Sequence, residues 1–221
     1  LRPLIDRPHQ ITEVRIQEPG FINFYLDPQW ILSQVDEIIM EDDSFGNVSV
    51  GNQSPIQVEF VSVNPTGPVH VGHARGAILG DALSNVLSAA RFKVTREYYF
   101  NDAGLQMEMF YKSIYTRYQQ ELGQDATLPE GGYQGAYMVD IAREIVGNHG
   151  DKYINIDEQQ AITNLGAMGV DIMLRGIQAT LSRMRIDFDV WFKEHTLFNN
   201  GQYRKVMDML AEGGHVQHRD G

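Results

Sequence analysis

The chain has 221 residues and no cysteine, and its 18 Lys+Arg stand against 29 Asp+Glu for a net charge of −11. That length builds one medium domain, or one domain and part of a second. The lack of cysteine excludes a disulfide scaffold, a Cys-bound zinc and a thiol nucleophile, and the acidic balance argues against a protein that simply coats nucleic acid.

No apolar run approaches the ~20 residues that span a bilayer. Residues 1–20 carry Arg2, Asp6, Arg7, Glu13, Arg15 and Glu18 and lack the apolar centre of a signal peptide. The expected location is the cytoplasm. Leu1 stands first where Met would be, and Gly221 closes a stretch that begins Gly213-Gly214. Both ends are expected to be cuts in a longer protein.

Ile11–Gln17 and Phe21–Leu26 read as two short strands joined by a turn at Pro19-Gly20. Asp27-Pro28 then opens a helix, with Asp27 as N-cap and Pro28 at the first helical position. Trp30, Ile31, Val35, Ile38 and Ile39 give that helix one apolar face. The acidic, Gly-containing stretch 41–54 reads as a linker.

Ile56–Val63 alternates as a strand, with Ile56, Val58 and Phe60 on one face and Glu59 on the other beside Val61 and Val63. A turn-rich loop, Asn64-Pro65-Thr66-Gly67-Pro68, follows. A helix from about Gly72 to Ala90 carries Ile78, Ala82, Val86 and Ala90 every four residues, with Leu79, Leu83 and Leu87 beside them. Lys93–Phe100 is a second strand. Strand, helix and strand make one crossover unit of a parallel sheet.

A helix over 104–122 shows Phe110, Ile114, Tyr118 and Leu122 at spacing four. Further helices are predicted near 136–147 and 158–185, a third strand at 186–193 and a last helix at 201–212. The picture is a parallel sheet interrupted by a helical insertion of roughly 80 residues, far more than the dozen or so that a crossover needs.

The segment that carries chemistry is Val63-Asn64-Pro65-Thr66-Gly67-Pro68-Val69-His70-Val71-Gly72-His73. It lies at the carboxyl end of a strand and the start of a helix, where open parallel sheets bind ligands. The helix start offers free N–H groups to an anion. His70 and His73 point to one side and can donate hydrogen bonds to phosphate oxygens, while Gly72 leaves room for a flat ring. By spacing alone the pair equally suits a surface pair on a helix. A metal centre is disfavoured because no third ligand lies nearby in sequence.

These residues carry a resemblance. The run resembles the HIGH signature of class I aminoacyl-tRNA synthetases, and Val58–Gln106 resembles arginyl-tRNA synthetases of bacterial type. The matching pieces are Glu59-Phe60, the HIGH loop, Ala74-Arg75-Gly76, Gly80-Asp81-Ala82, Arg96–Tyr99 and Asn101–Gln106. Gly20–Phe24 is similar to the end of that family's N-terminal appended domain, and Asp187–Glu194 to its third catalytic strand.

The resemblance implies an α/β fold, an incomplete Rossmann-like parallel sheet with a HIGH motif interrupted by a helical insertion. Residues 1–45 would end the appended domain and 52–104 would form the first half of the catalytic domain. Residues 105–175 would be the insertion, and 176–221 would continue the catalytic domain into a further insertion. The implied activity is ATP-dependent joining of arginine to tRNA through arginyl-adenylate, a first step that usually needs bound tRNA in this family.

His70 and His73 would be catalytic, and Pro65, Thr66, Gly67, His70, Gly72 and His73 would bind ATP. Glu59 would meet the guanidinium, Ser62 and Asn64 would hold the α-amino end, and Asn101, Asp102 and Gln106 are pocket candidates. ATP would enter with Mg2+, with no protein-ligated metal. The implied partners are tRNA(Arg), ATP and arginine, with no membrane, and the chain a monomer.

Without the family, Glu59 reads as a solvent-facing strand residue and Asn64 as turn chemistry. Gly76 and Gly80 read as close packing of the helix on a neighbour, Tyr98-Tyr99-Phe100 as core, and Arg175, Arg183 and Arg185 as the solvated face of one helix. The other histidines are assigned nothing.

Arg91 stands where the family usually has glycine, and a left-handed conformation there would cost about 1 kcal/mol, so a different turn is expected. The KMSKS-type loop and the rest of the arginine pocket would lie beyond Gly221, so the chain alone is expected to be weak or inactive. The alternatives are another HxGH-type nucleotidyltransferase and a non-enzymatic tRNA-binding module.

Overall fold

The computed structural model describes residues 10–102 and 104–217. Ala103 of the Asn101–Gln106 run, and His9 and His218, lie outside the described residues. Strands β1 (Ile11–Gln17) and β2 (Phe21–Leu26) pair antiparallel, and helix α1 (Pro28–Glu41) follows. The Asp27 carboxylate accepts the Gln29 N–H at 2.7 Å, which satisfies a donor that the first helical turn leaves free. The apolar face of α1 forms, but Ile31, Val35, Ile38 and Ile39 all stay exposed.

The stretch read as a linker is tied down in its second half. Val48, Gly51 and Gln53 donate backbone N–H groups to the carbonyls of Ala89, Ala90 and Arg91. These carbonyls lie at and just past the end of helix α2 (Val71–Ala89), beyond the reach of its own i→i−4 ladder. Gly51 is required here, because a Cβ would lie 2.5 Å from the Phe92 nitrogen. Arg91 keeps the left-handed conformation at φ 65°, which corrects the expectation of a different turn. The Phe92 N–H reaches back to the Leu87 carbonyl at 3.1 Å, a bond that closes only with the preceding residue left-handed.

Strands β3 (Pro55–Glu59), β4 (Lys93–Phe100) and β5 (Val190–Lys193) form a parallel sheet in the order β3-β4-β5. Helix α2 connects the first two. Helices α3 (Leu105–Glu121), α4 (Ala136–His149) and α5 (Glu158–Arg183) connect β4 to β5. One core joins the sheet to the insertion, running from Phe60, Tyr98 and Phe100 through Phe110, Ile114 and Tyr118 to Leu165, Ile177 and Leu181. Short α6 (His195–Asn199) and α7 (Gln202–Glu212) complete the described chain.

Both outer strands are shorter than the sequence predicts. β3 stops at Glu59 because Val61 and Ser62 adopt φ of 66° and 44°. β5 starts at Val190. The alternation before it comes from packing, with Ile186 closing the end of α5 and Phe188 lying against Phe60, their rings 4.5 Å apart.

The buried face of α2 also differs from the apolar stripe in the sequence. Ala77, Gly80 and Ser84 are buried, whereas Ile78, Leu79, Leu83 and Val86 are exposed. The Phe60 ring occupies the space a Gly80 side chain would need, so only small residues fit between helix and sheet. Gly76 faces open space and does not share this role. Arg185 lies past the end of α5 at φ 60°, off the helix that holds Arg175 and Arg183.

Candidate active site

Because β3, β4 and β5 run parallel, their carboxyl ends lie together. After β3 the chain turns through two left-handed non-glycine residues, of which Val61 is β-branched. Such positions cost about 1–3 kcal/mol each and persist only when surroundings hold them. Here three contacts hold the turn. The Ser62 N–H donates to the Phe60 carbonyl at 3.0 Å. The Ser62 Oγ accepts the Tyr99 N–H at 3.1 Å. The buried Tyr98 hydroxyl donates to the Val63 carbonyl at 2.9 Å and accepts the Val63 N–H at 3.2 Å.

The loop beyond is pinned at further points. Asn64 Nδ2 donates to Gln106 Oε1 at 2.8 Å, which brings together two residues 42 apart in sequence. Pro65 is fully buried. The Tyr137 hydroxyl, from the first turn of α4, donates to the Thr66 carbonyl at 2.8 Å.

His70 caps α2 in extended conformation, and its Nδ1 accepts the Gly72 N–H at 3.1 Å. His73 Nδ1 accepts the His70 N–H at 3.5 Å. The rings stack with centroids 3.5 Å apart. Gly72 is needed because a Cβ would press on the His70 ring at 3.0 Å, so the flat ring it accommodates here is His70 itself.

A ring nitrogen that accepts a hydrogen bond carries no proton, so in each neutral imidazole the proton sits on Nε2. The loop therefore holds two Nε2–H donors side by side. Burial, and then the neighbouring His70, lower the pKa of His73 below the usual histidine value, which favours this neutral form. The two rings line a cavity of ≈ 560 Å³ with Ser62, Val63, Asn64, Thr66, Gly67, Pro68, Tyr133 and Tyr137. That volume is in the range of small-molecule sites.

A second cluster lies at the ends of β4 and β5. The Tyr99 hydroxyl donates to Glu194 Oε2 at 3.0 Å. Its pKa is pushed up to about 12, first by burial, then by the bond to Glu194 and the negative charges of Glu194, Glu59 and Asp102. Three carboxylates thus act on one phenol. Asp102 Oδ1 accepts the His195 N–H at 2.9 Å, and Oδ2 pairs with His195 Nδ1. Asn101 is half-buried beside it.

Pro65, Thr66, Gly67, Gly72, His70 and His73 thus share the loop and helix start, with Asn64 and Gln106 joined. Glu59 and Asp102 are near Tyr99, while Ser62 is engaged with backbone. Sequence reading missed Tyr99, Glu194, His195, Tyr133 and Tyr137 as site residues. Strand alternation carried a signal for Tyr99, since it places that residue opposite the buried Tyr98 and Phe100. The tyrosines of the insertion have no local signal.

A parallel sheet with a turn-rich loop and a helix start at the carboxyl end of its first strand is the arrangement of an open α/β ligand-binding fold. The comparisons make it specific. The family model for tRNA synthetases class I (R), catalytic domain, matches residues 34–221, and the chain belongs to this family.

The chain is 45% identical over 220 residues to the arginine–tRNA ligase of Dehalococcoides mccartyi, covering 100% of this chain and 40% of that protein. It is 42% identical over 211 residues to that of Anoxybacillus flavithermus, covering 96% and 38%. The chain therefore spans about two-fifths of the length of these curated relatives. An arginyl-tRNA synthetase structure from Campylobacter jejuni superposes with a TM-score of 0.77 at 28% identity, covering 88% of this chain and 42% of that one. The Thermus thermophilus arginyl-tRNA synthetase, with a TM-score of 0.56 at 22% identity over 97% of this chain and 35% of its own, shares the fold.

Proposed function

We propose that this chain is the ATP- and arginine-binding portion of an arginine–tRNA ligase acting in the cytoplasm as a monomer. One observation carries the reading: at a single end of the sheet, two imidazole donors stand with three carboxylates around Tyr99. The donors suit a polyphosphate and the carboxylates suit a guanidinium, which are the two charged ends of the substrates of amino-acid activation.

In the first step an arginine carboxylate oxygen attacks the α-phosphorus of ATP. The bond to the bridging oxygen breaks, and pyrophosphate leaves. ATP arrives as its Mg2+ complex. His70 and His73 donate Nε2–H to phosphate oxygens as charge develops on them, which stabilises the transition state without proton transfer. Pro65, Thr66, Gly67 and Gly72 shape the loop around the nucleotide. Glu59, aided by Glu194 and Asp102, offsets the guanidinium charge, for which a carboxylate is the natural partner. Asn64, held by Gln106, faces the α-amino end with Ser62 and Asn101. In the second step a terminal ribose hydroxyl of tRNA(Arg) attacks the arginyl carbonyl and AMP leaves.

The test is pyrophosphate exchange into ATP by the parent ligase that contains this chain. Exchange should require arginine and tRNA, and exchange supported by another amino acid but not by arginine would refute the reading. The 221-residue chain alone should turn over weakly or not at all.

A further inference from the structure

The helical insertion lends Tyr133 and Tyr137 to the cavity beside the two histidines, and Tyr137 bonds to the loop itself. Tyr137 lies in the first turn of α4, behind Gly135, where any side chain would collide with the Tyr137 ring. The ring is thereby folded back over the turn, and its hydroxyl donates to the Thr66 carbonyl at 2.8 Å across 71 residues of sequence. The same oxygen would sit 3.6 Å from a Cβ at Gly67, so the phenol abuts the loop at both residues.

The anchor at the other end is rigid. Met138 and Ile141, next on α4, are buried. Tyr133, which shares the cavity wall, donates its N–H to the buried Ser113 Oγ at 3.0 Å and meets Phe110 edge-on at 5.6 Å. Burial raises the Tyr137 pKa above the ordinary phenol value, so the group remains an O–H donor.

We propose that Tyr137 is a positioning residue of the nucleotide site: through the Thr66 carbonyl it sets the placement of His70 and His73, making the helical insertion a wall of that site. The inference rests on the reading that these histidines address ATP phosphates. Thr66 is four residues before His70, and the segment between contains Gly67, which is free to swing unless held. The Tyr98 and Gln106 contacts fix the loop upstream, at Val63 and Asn64. Tyr137 fixes it at Thr66, closer to the imidazoles along the chain.

The test substitutes Tyr137→Phe, which keeps the ring and removes the hydroxyl. In the parent ligase, the imidazole resonances of His70 and His73 should shift while those of His149, His195 and His215 stay in place. In the parent ligase, the KM for MgATP in pyrophosphate exchange should rise about twofold to tenfold, the effect of losing one hydrogen bond, and the KM for arginine should not change. A residue that merely stabilises the insertion would leave the His70 and His73 resonances where they are. Unchanged resonances overturn the proposal, as does an unchanged KM for MgATP or an equal rise in both KM values. Absence of arginine-dependent exchange in the unsubstituted ligase would instead overturn the functional reading, and the resonances separate the two failures.

Discussion

Replacing Tyr98 by Phe tests how the fold holds its strained turn. Tyr98 is 0% exposed, and its ring stacks on Trp191 with centroids 4.5 Å apart and meets Phe188 edge-on. Phe preserves those contacts, so the substitution isolates the hydroxyl. That oxygen both donates to and accepts from the backbone of Val63, at 2.9 and 3.2 Å. Each hydrogen bond contributes about 1 kcal/mol net, and a buried backbone group left unpaired costs about 1–3 kcal/mol. Val63 is only half-buried, so water can satisfy part of its need, and a loss of about 2 kcal/mol results. A chain of this size loses ~2–4 °C of midpoint per kcal/mol, which gives a drop of roughly 4–8 °C. Urea unfolding should show a lower midpoint at unchanged slope, and amide exchange should accelerate at Val63 and in the loop that follows. A loss below about 0.5 kcal/mol, with exchange unaltered, would refute the idea that this hydroxyl pins the turn.

Arg91→Gly should stabilise the chain. The left-handed conformation at φ 65° costs about 1–2 kcal/mol for a non-glycine residue, and glycine returns about 0.4–1 kcal/mol of that to the unfolded chain. A net gain of about 0.5–1 kcal/mol should appear in urea unfolding, and a loss would show that the Arg91 side chain makes a contribution of its own. The reciprocal imidazole cap predicts a pH dependence. Burial and His70 hold the His73 pKa below its unfolded value, so the unfolded chain takes up that proton first. The stabilising contribution is therefore complete above the ordinary histidine pKa, near about 6.5, and fades as the pH falls below it. The stability difference between the unsubstituted chain and His73→Gln should shrink from about pH 7 to about pH 5, and a difference independent of pH would count against the cap.

Local signals explain how far the sequence could be read. β1, β2 and β4 fall on the residues predicted from alternation, and Asp27-Pro28 marks the start of α1 as expected. Capping and period-two patterns act within a few residues, so they are legible without tertiary context. Alternation misled where neighbours impose it. Residues 186–188 alternate because Ile186 and Phe188 pack on the core, and the first backbone bond to β4 is the Asp189 N–H on the Arg96 carbonyl at 3.0 Å. On α2, the large apolar residues form a stripe of their own, but Phe60 lies so close to Gly80 that Ala77, Gly80 and Ser84 turn inward instead.

The sequence by itself determined the crossover unit, the turn-rich loop after its first strand and the histidine pair at the start of a helix, because each is written in contiguous residues. Their chemistry could be named from residue type. The structure alone shows the tautomers of His70 and His73, although these are set locally, by the backbone N–H that each Nδ1 meets within residues 70–73. It also decided the strained end of β3, the three carboxylates around Tyr99 and the Tyr137 contact from 71 residues away. Those features depend on where separate segments meet once the sheet and the insertion share a core, and no spacing along one segment encodes a meeting between two.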